Sequence, residues 1–241
     1  MQIDPDRCIG CTACLPYCPV DAITMTKGKA VIDDDVCVEC GNCKYAKVCP
    51  YDAIHEVELP WPQGIRALSD ANIPQRQYKP PAEMRLGGRT TMEVKGNDVV
   101  ERYGFEDVGF VVDVGRPAVG ASFADVEKVT MAVAPIGVEF EPRSLVGTLM
   151  TDSKTGKLRE DVLGERILYV TVDFKTGMEK ISRVVEALRR ASKEVDTVFS
   201  VGFICRIRGD YTIPAFDFLD QLGVSHYPNA KINMGLGRRH A

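Results

Sequence analysis

Cys8-Ile9-Gly10-Cys11-Thr12-Ala13-Cys14-Leu15-Pro16-Tyr17-Cys18-Pro19 is answered further on by Cys37-Val38-Glu39-Cys40-Gly41-Asn42-Cys43, then Lys44 to Val48, then Cys49-Pro50. Eight of the nine cysteines lie in these two runs. Each run has the form C-x2-C-x2-C and is closed by Cys-Pro. A four-iron cubane has four iron corners, and each takes one thiolate. A short C-x2-C-x2-C loop wraps three corners with its backbone N–H groups turned inward; the fourth corner needs a cysteine from elsewhere. Gly10 and Gly41 permit the tight, positive-φ turns that bring backbone close to a cluster. Pro19 and Pro50 donate no backbone hydrogen bond and set the direction in which the chain leaves.

Two blander readings compete. Zinc also uses C-x2-C pairs, but a structural zinc is satisfied by four ligands, which does not explain two triplets each closed by Cys-Pro. A disulfide framework suits a small secreted domain, and no secretory signal precedes Cys8. An internal repeat favours clusters: Cys18-Pro19-Val20-Asp21-Ala22-Ile23 matches Cys49-Pro50-Tyr51-Asp52-Ala53-Ile54 at an offset of 31 residues. With these motifs, residues 1–58 resemble the bacterial 2[4Fe-4S] ferredoxins. The resemblance implies two half-units that exchange their fourth cysteines. Cluster I then takes Cys8, Cys11, Cys14 and Cys49, and cluster II takes Cys37, Cys40, Cys43 and Cys18. The second run departs from the first by carrying five residues before its last cysteine instead of three. That lengthens a loop and removes no ligand.

The chain has 241 residues, 45% of them hydrophobic, enough for a sizeable core. No apolar run approaches the roughly 18 residues of a membrane helix. Met1-Gln2-Ile3-Asp4-Pro5-Asp6 shows neither the basic nor the apolar part of an export signal. With so many thiols, the expected location is a reducing cytoplasm. Residues 1–60 hold ten Asp/Glu and five Lys/Arg, whereas the remainder is nearly balanced. An acidic front can steer toward a basic partner patch, or it is simply a solvated surface. No basic stripe with interleaved aromatics points to nucleic acid.

The organisation reads as a cluster domain over residues 1–58, a Pro/Gly-rich connector over 59–100, and an α+β domain with a C-terminal tail over 101–241. In the front, Ala30–Ile32 and His55–Val57 are β-prone, with a helical turn expected after each Cys-Pro; His55 reads as a surface residue. In the connector, breakers at high density argue for extended chain, and Trp61, between two prolines, is expected to pin it to a domain. In the rear, residues 109–114 read as a strand. Ser122 caps a helix through Ala134 with Val126, Val129, Thr130 and Val133 on one face, and residues 138–140 form a short strand. After a polar stretch with a turn at 151–156, residues 166–174 read as a strand. Met178, Ile181, Val184, Val185 and Leu188 mark a helix whose other face carries Arg183, Arg189 and Arg190. Residues 197–204 close as a strand, and a short helix is expected over 214–222. This β-α-β, β-α-β order predicts a split-βαβ sandwich, an antiparallel sheet with both helices on one face.

Other chemistry is sparse, and no catalytic residue stands out. No G-x-G-x-x-G follows a strand. Lys154-Thr155-Gly156-Lys157 lacks the upstream glycine of a phosphate loop, and Gly235-Leu236-Gly237-Arg238-Arg239 reads as a basic tail. Cys205 reads as a small buried hydrophobe. Arg116, Arg143, Arg206 and Arg208 sit at element edges where a carboxylate could be clamped, although each alone reads as a surface arginine. Three segments, Tyr103 to Pro117, Phe123 to Thr130 and Asn233 to Arg239, resemble 6-hydroxynicotinate reductase proteins. In that family, a ferredoxin-type region and a middle domain precede a flavin-associated domain. No such domain is found here, so the resemblance implies a split system: this chain carries electrons, and a partner flavoprotein subunit holds flavin and a small substrate such as an N-heterocyclic carboxylate. Two alternatives remain. One is a self-contained reductase with flavin or substrate on the rear domain; the other is a regulatory module that senses redox state or a metabolite.

Overall fold

The computed structural model describes residues 1–69 and 102–225. The remainder of the 59–100 connector and the 233–239 ending lie outside the described residues.

The front region is built of short pieces because its chain is bent repeatedly around cysteines. β1 (Gln2–Ile3) comes first, and β2 (Ile23–Thr26) and β3 (Lys29–Ile32) form a hairpin. α1 (Asn42–Tyr45) then precedes β4 (Ile54–His55), which pairs antiparallel with β1. The hairpin turn is Lys27-Gly28, with φ of 49° and 77°. Positive φ at both turn residues gives the primed turn whose twist suits a two-residue hairpin. The helical turns expected after each Cys-Pro stand before it instead: a 3-10 turn at Leu15–Tyr17 and α1. After Cys-Pro the chain swings through left-handed backbone at Asp21 and Asp52, φ 54° and 47°. The reason lies in the sulfur contacts described below.

The rear region is mixed α/β. β5 (Asp107–Val114), β6 (Ala121–Ser122) and α2 (Phe123–Val133) lead to β7 (Glu139–Phe140). α3 (Leu145–Leu149), β8 (Met150–Asp152), β9 (Lys157–Leu158) and β10 (Arg166–Ile167) follow. β11 (Val170–Gly177), α4 (Ile181–Ala191), β12 (Phe199–Ile204) and α5 (Pro214–Gln221) complete it. β12, β5, β11 and β7 form one four-stranded sheet in that order, each neighbouring pair antiparallel. The stretch 166–174, expected as one strand, is two. β10 pairs with β6 outside the main sheet, and β11 pairs with β5 over eight residues. One straight strand cannot serve both partners, and the break falls at Leu168, whose carbonyl abuts Gly115.

α2 begins where Ser122 accepts a hydrogen bond from the Asp125 N–H at 3.1 Å, an N-cap. Val126, Val129, Thr130 and Val133 of α2 and Ile181, Val184 and Leu188 of α4 are buried over the sheet face that carries Val108, Phe110, Val112 and Val114. At one register line all four strands contribute a phenylalanine: Phe203, Phe110, Phe174 and Phe140. Neighbouring rings along this line lie 4.8, 5.1 and 5.8 Å apart, within the range of favourable aromatic pairs.

The two regions touch. The 3-10 segment Gln63–Ser69 sends Ile65, with no exposed surface, into the rear core. Trp61 packs on that core and donates its indole N–H to Asp161 at 2.8 Å, so it pins the chain there. A Cβ added at Gly120 would meet Val20 at 3.1 Å and Val38 at 3.6 Å, which places the 115–120 loop against the end of the first cysteine run and the start of the second. Among the described residues, no helix is long and apolar enough to cross a membrane.

Candidate iron-sulfur centres

The chain brings the eight cysteines into two sets. Cys8, Cys11, Cys14 and Cys49 line one cavity, walled by Ile3, Ala30 and Ile54. Cys18, Cys37, Cys40 and Cys43 line a second, walled by Val20, Ile32 and Val38. A groove of about 350 Å³ is lined by Cys43 from one set and Cys49 from the other, so the cavities are neighbours. Among the described residues, no three His, Cys, Asp or Glu side chains gather tightly enough to hold a single ion. Each iron of a cubane takes one thiolate, so its ligands stand around a cavity instead of meeting at a point. Four soft donors per cavity and apolar walls fit that group.

The repeated Cys-Pro-x-Asp-Ala motif has a local purpose. The Ala22 N–H donates to Cys18 Sγ at 3.1 Å, and the Ala53 N–H donates to Cys49 Sγ at 3.3 Å. The left-handed turns at Asp21 and Asp52 fold the chain back so that each N–H faces its sulfur. Further donors reach Cys8 Sγ from the Ala30 N–H at 3.4 Å and Cys37 Sγ from the Glu39 N–H at 3.5 Å. Such bonds favour the charged sulfur that a metal requires.

A second repeat escaped the sequence reading. Asp4 and Asp33 each stand four residues before the first cysteine of a run. Their carbonyls accept from the N–H of Cys8 and of Cys37 at 3.0 and 2.9 Å. Their own N–H groups bond the carbonyls of Ala53 and Ala22, both at 2.8 Å. Each half-unit is thereby tied to the end of a Cys-Pro motif. The signal was present as an aspartate at the same offset in both runs.

Gly10 and Gly41 are not equivalent. Gly10 precedes Cys11, and its counterpart is Glu39; Gly41 follows Cys40, and its counterpart is Thr12. All four take positive φ: 73°, 53°, 72° and 63°. Glycine is obligatory at Gly10 for a further reason, since a Cβ there would lie 2.1 Å from the Gly28 carbonyl oxygen.

Burial sets the state of the free thiols. It pushes Cys14 up from its ordinary value. Burial, then the charge of Glu39, pushes Cys37 to about 12. Burial, then the neighbouring Cys40, pushes Cys43 to about 11. These thiols are protonated at neutral pH until a metal displaces the protons.

The other candidates do not converge on a site. His55 is exposed in β4. Lys154 and Thr155 sit in the β8–β9 turn bonded to Asp152, and Gly156 is docked on α2, where its carbonyl accepts from Thr130 Oγ1 at 2.6 Å. Arg116 bonds Asp113 at 3.1 Å and lies over the Tyr169 ring, whereas Arg206 lies over Phe105. Arg143 and Arg208 are exposed. Cys205 packs on the rear core, where burial raises its pKa.

The comparisons agree with this geometry in the front region. The 4Fe-4S dicluster domain family matches residues 7–53. Ferredoxin-1 of Rhodobacter capsulatus is 50% identical over 40 residues, 17% of this chain and 62% of that protein. The protein named Ferredoxin 7Fe of Hydrogenibacillus schlegelii is 45% identical over 70 residues, 27% of this chain and 87% of that protein. Ferredoxin-2 of Chlorobaculum tepidum is 43% identical over 56 residues, 22% of this chain and 90% of that protein. The chain thus spans less than two thirds of the Rhodobacter protein's length and most of the other two. No solved structure matches the chain. Through its residues 7–53 the chain belongs to the 4Fe-4S dicluster ferredoxins, and its eight N-terminal cysteines hold two [4Fe-4S] clusters.

Proposed function

We propose that this protein is a cytoplasmic electron carrier, the ferredoxin-type part of a flavin-dependent reductase whose flavin and small substrate sit on a partner subunit. When bound, the clusters supply one-electron redox chemistry. Cluster I is held by Cys8, Cys11, Cys14 and Cys49, and cluster II by Cys37, Cys40, Cys43 and Cys18. The observation that carries this reading is the division of the thiols into two adjacent cavities, each taking its fourth cysteine from the other run. The amides of Ala22 and Ala53 hold the two crossing sulfurs, and the apolar walls limit access of water.

For the rear region we propose the split-βαβ topology. Its support is the strand order, last, first, third and second among β5, β7, β11 and β12, with α2 and α4 over one face. The partner reading rests on the likeness of the 103–117 and 123–130 segments to 6-hydroxynicotinate reductases and on the acidic front. Flavin suits the role because it converts one-electron steps into hydride chemistry. Native mass spectrometry on the protein captured without oxygen from its own cells tests it. A second subunit carrying flavin is the expected result. Recovery of the chain alone, with iron and sulfide and no flavin, would leave a free carrier or a sensor. Flavin on this chain itself would favour a self-contained enzyme.

A further inference from the structure

The first cysteines of the two runs, Cys8 and Cys37, occupy equivalent places in the half-units, and the carbonyl of each receives a cation. At Cys8 the donor is Lys29 Nζ, from the β2–β3 hairpin inside the front region. At Cys37 the donor is Arg66, from the 3-10 segment Gln63–Ser69, which lies beyond the cluster-binding repeat and packs on β10. Arg66 Nη1 donates to the carbonyls of Asp34 and, at 3.3 Å, Cys37. Its Nε donates to Glu165 Oε2 at 2.5 Å. The arginine side chain is 11% exposed and the glutamate 10%. A guanidinium held so far from water is weakly screened, and its planar fork serves several acceptors at once.

The chain therefore treats its two centres differently. The cation at cluster I belongs to the ferredoxin unit. Cluster II also has a cation of its own unit, the buried Met1 ammonium paired with Glu39, but the cation on its Cys37 carbonyl is lent by the next segment and is tied by an ion pair to the residue just before β10. We propose that Arg66 is a positioning residue for cluster II: it holds the Cys37 loop to the rear region and raises the potential of that cluster, with Glu165 opposing its charge. Reduction adds negative charge to a cluster, so a nearby cation favours the reduced form and a nearby anion disfavours it. The two members of the pair thus act in opposite directions on the same centre. The inference rests on the two-cluster reading.

The experiment is an anaerobic redox titration of the full chain followed by EPR, with iron content measured on each sample. Arg66→Gln should lower one of the two reduction waves and leave the other in place. Arg66→Lys should restore most of the loss. Glu165→Gln should raise the wave that Arg66→Gln lowers. Lys29→Gln should lower the other wave, which assigns the two. If Arg66→Gln moves neither wave in loaded protein, or moves both alike, the role is overturned. If Arg66→Gln and Glu165→Gln move the wave in the same direction, the pair only orders the loop, and the charge effect is overturned. Should Arg66→Gln fail to fold, Arg66→Lys and Glu165→Gln still decide by the sign of the Glu165→Gln shift. A parent protein with no reducible cluster would remove the two-cluster reading itself.

Discussion

Cys49 closes the second run but lines the cavity of the first. Cys49→Ser should therefore damage cluster I and spare cluster II, leaving about half the iron and one of two reduced EPR signals. Unchanged iron and spectrum would show that the pairing is wrong. Gly10 is a sharper steric test. Its Cβ would meet a backbone oxygen at 2.1 Å, which no rotamer change relieves. Gly10→Ala should reduce loading of cluster I, measured as iron per chain, well below that of the parent. At the far side of the junction, a hydrogen bond from Arg159 and then one from Trp61 hold the Asp161 carboxyl down at about 2. A depressed carboxylate stabilises the fold above its unfolded value of about pH 4, and that contribution is lost as the pH falls toward 2. Asp161 is 40% exposed, so solvent screening limits the effect to about 0.5 kcal/mol. In urea unfolding followed by Trp61 emission, the gap between the parent and Asp161→Asn should be open at pH 7 and close near pH 2.

At the scale of elements, the phenylalanine line across the four strands carries the rear fold. Phe110 is 1% exposed, stacks on Phe174 and meets Phe203 at a tilt. Phe110→Ala should cost roughly 3–5 kcal/mol by the loss of transfer energy and the cavity left behind, read as a fall in the denaturation midpoint with the slope unchanged. The helices α2 and α4 were legible because their apolar residues recur at helical spacing and Ser122 caps the first. α3 and the strands β8 and β9 were not legible, although the turn between the two strands was. Each of these elements is two to five residues long, too short to show a period. Their anchors are tertiary: Gly147 packs on the Glu141 carbonyl, and Gly156 packs on Thr130. The helical turns stand before each Cys-Pro and not after it, again for a tertiary reason. Proline suggests a helix start, but here the alanine amide is bent back to the sulfur instead.

Over the whole molecule, two bodies of structure have different sources of stability. The rear region has a continuous apolar core, whereas buried residues of the front are grouped around its cysteines. Chelating the iron under anaerobic conditions should therefore release the front while the sheet persists. Amide exchange reads this directly: protection across residues 1–58 should be lost, and that of Val108–Val114 kept. Loss of protection in both regions together would show that the junction at Arg66 and Gly120 makes them one cooperative unit.

The cysteine spacing determined the number of clusters and the kind of metal by itself, because thiolate count and loop length are local constraints. The alternation and periodicity of the rear segment likewise determined the four strands of its main sheet, apart from the break at Leu168, and its two main helices. Tertiary structure alone decided which amides face which sulfurs, that Asp4 and Asp33 tie the half-units together, and that Arg66 reaches Cys37. The Asp4–Ala53 and Arg66–Cys37 contacts join residues far apart in the chain, and every one of these contacts uses a backbone N–H or carbonyl, which carries no residue identity for a sequence to display.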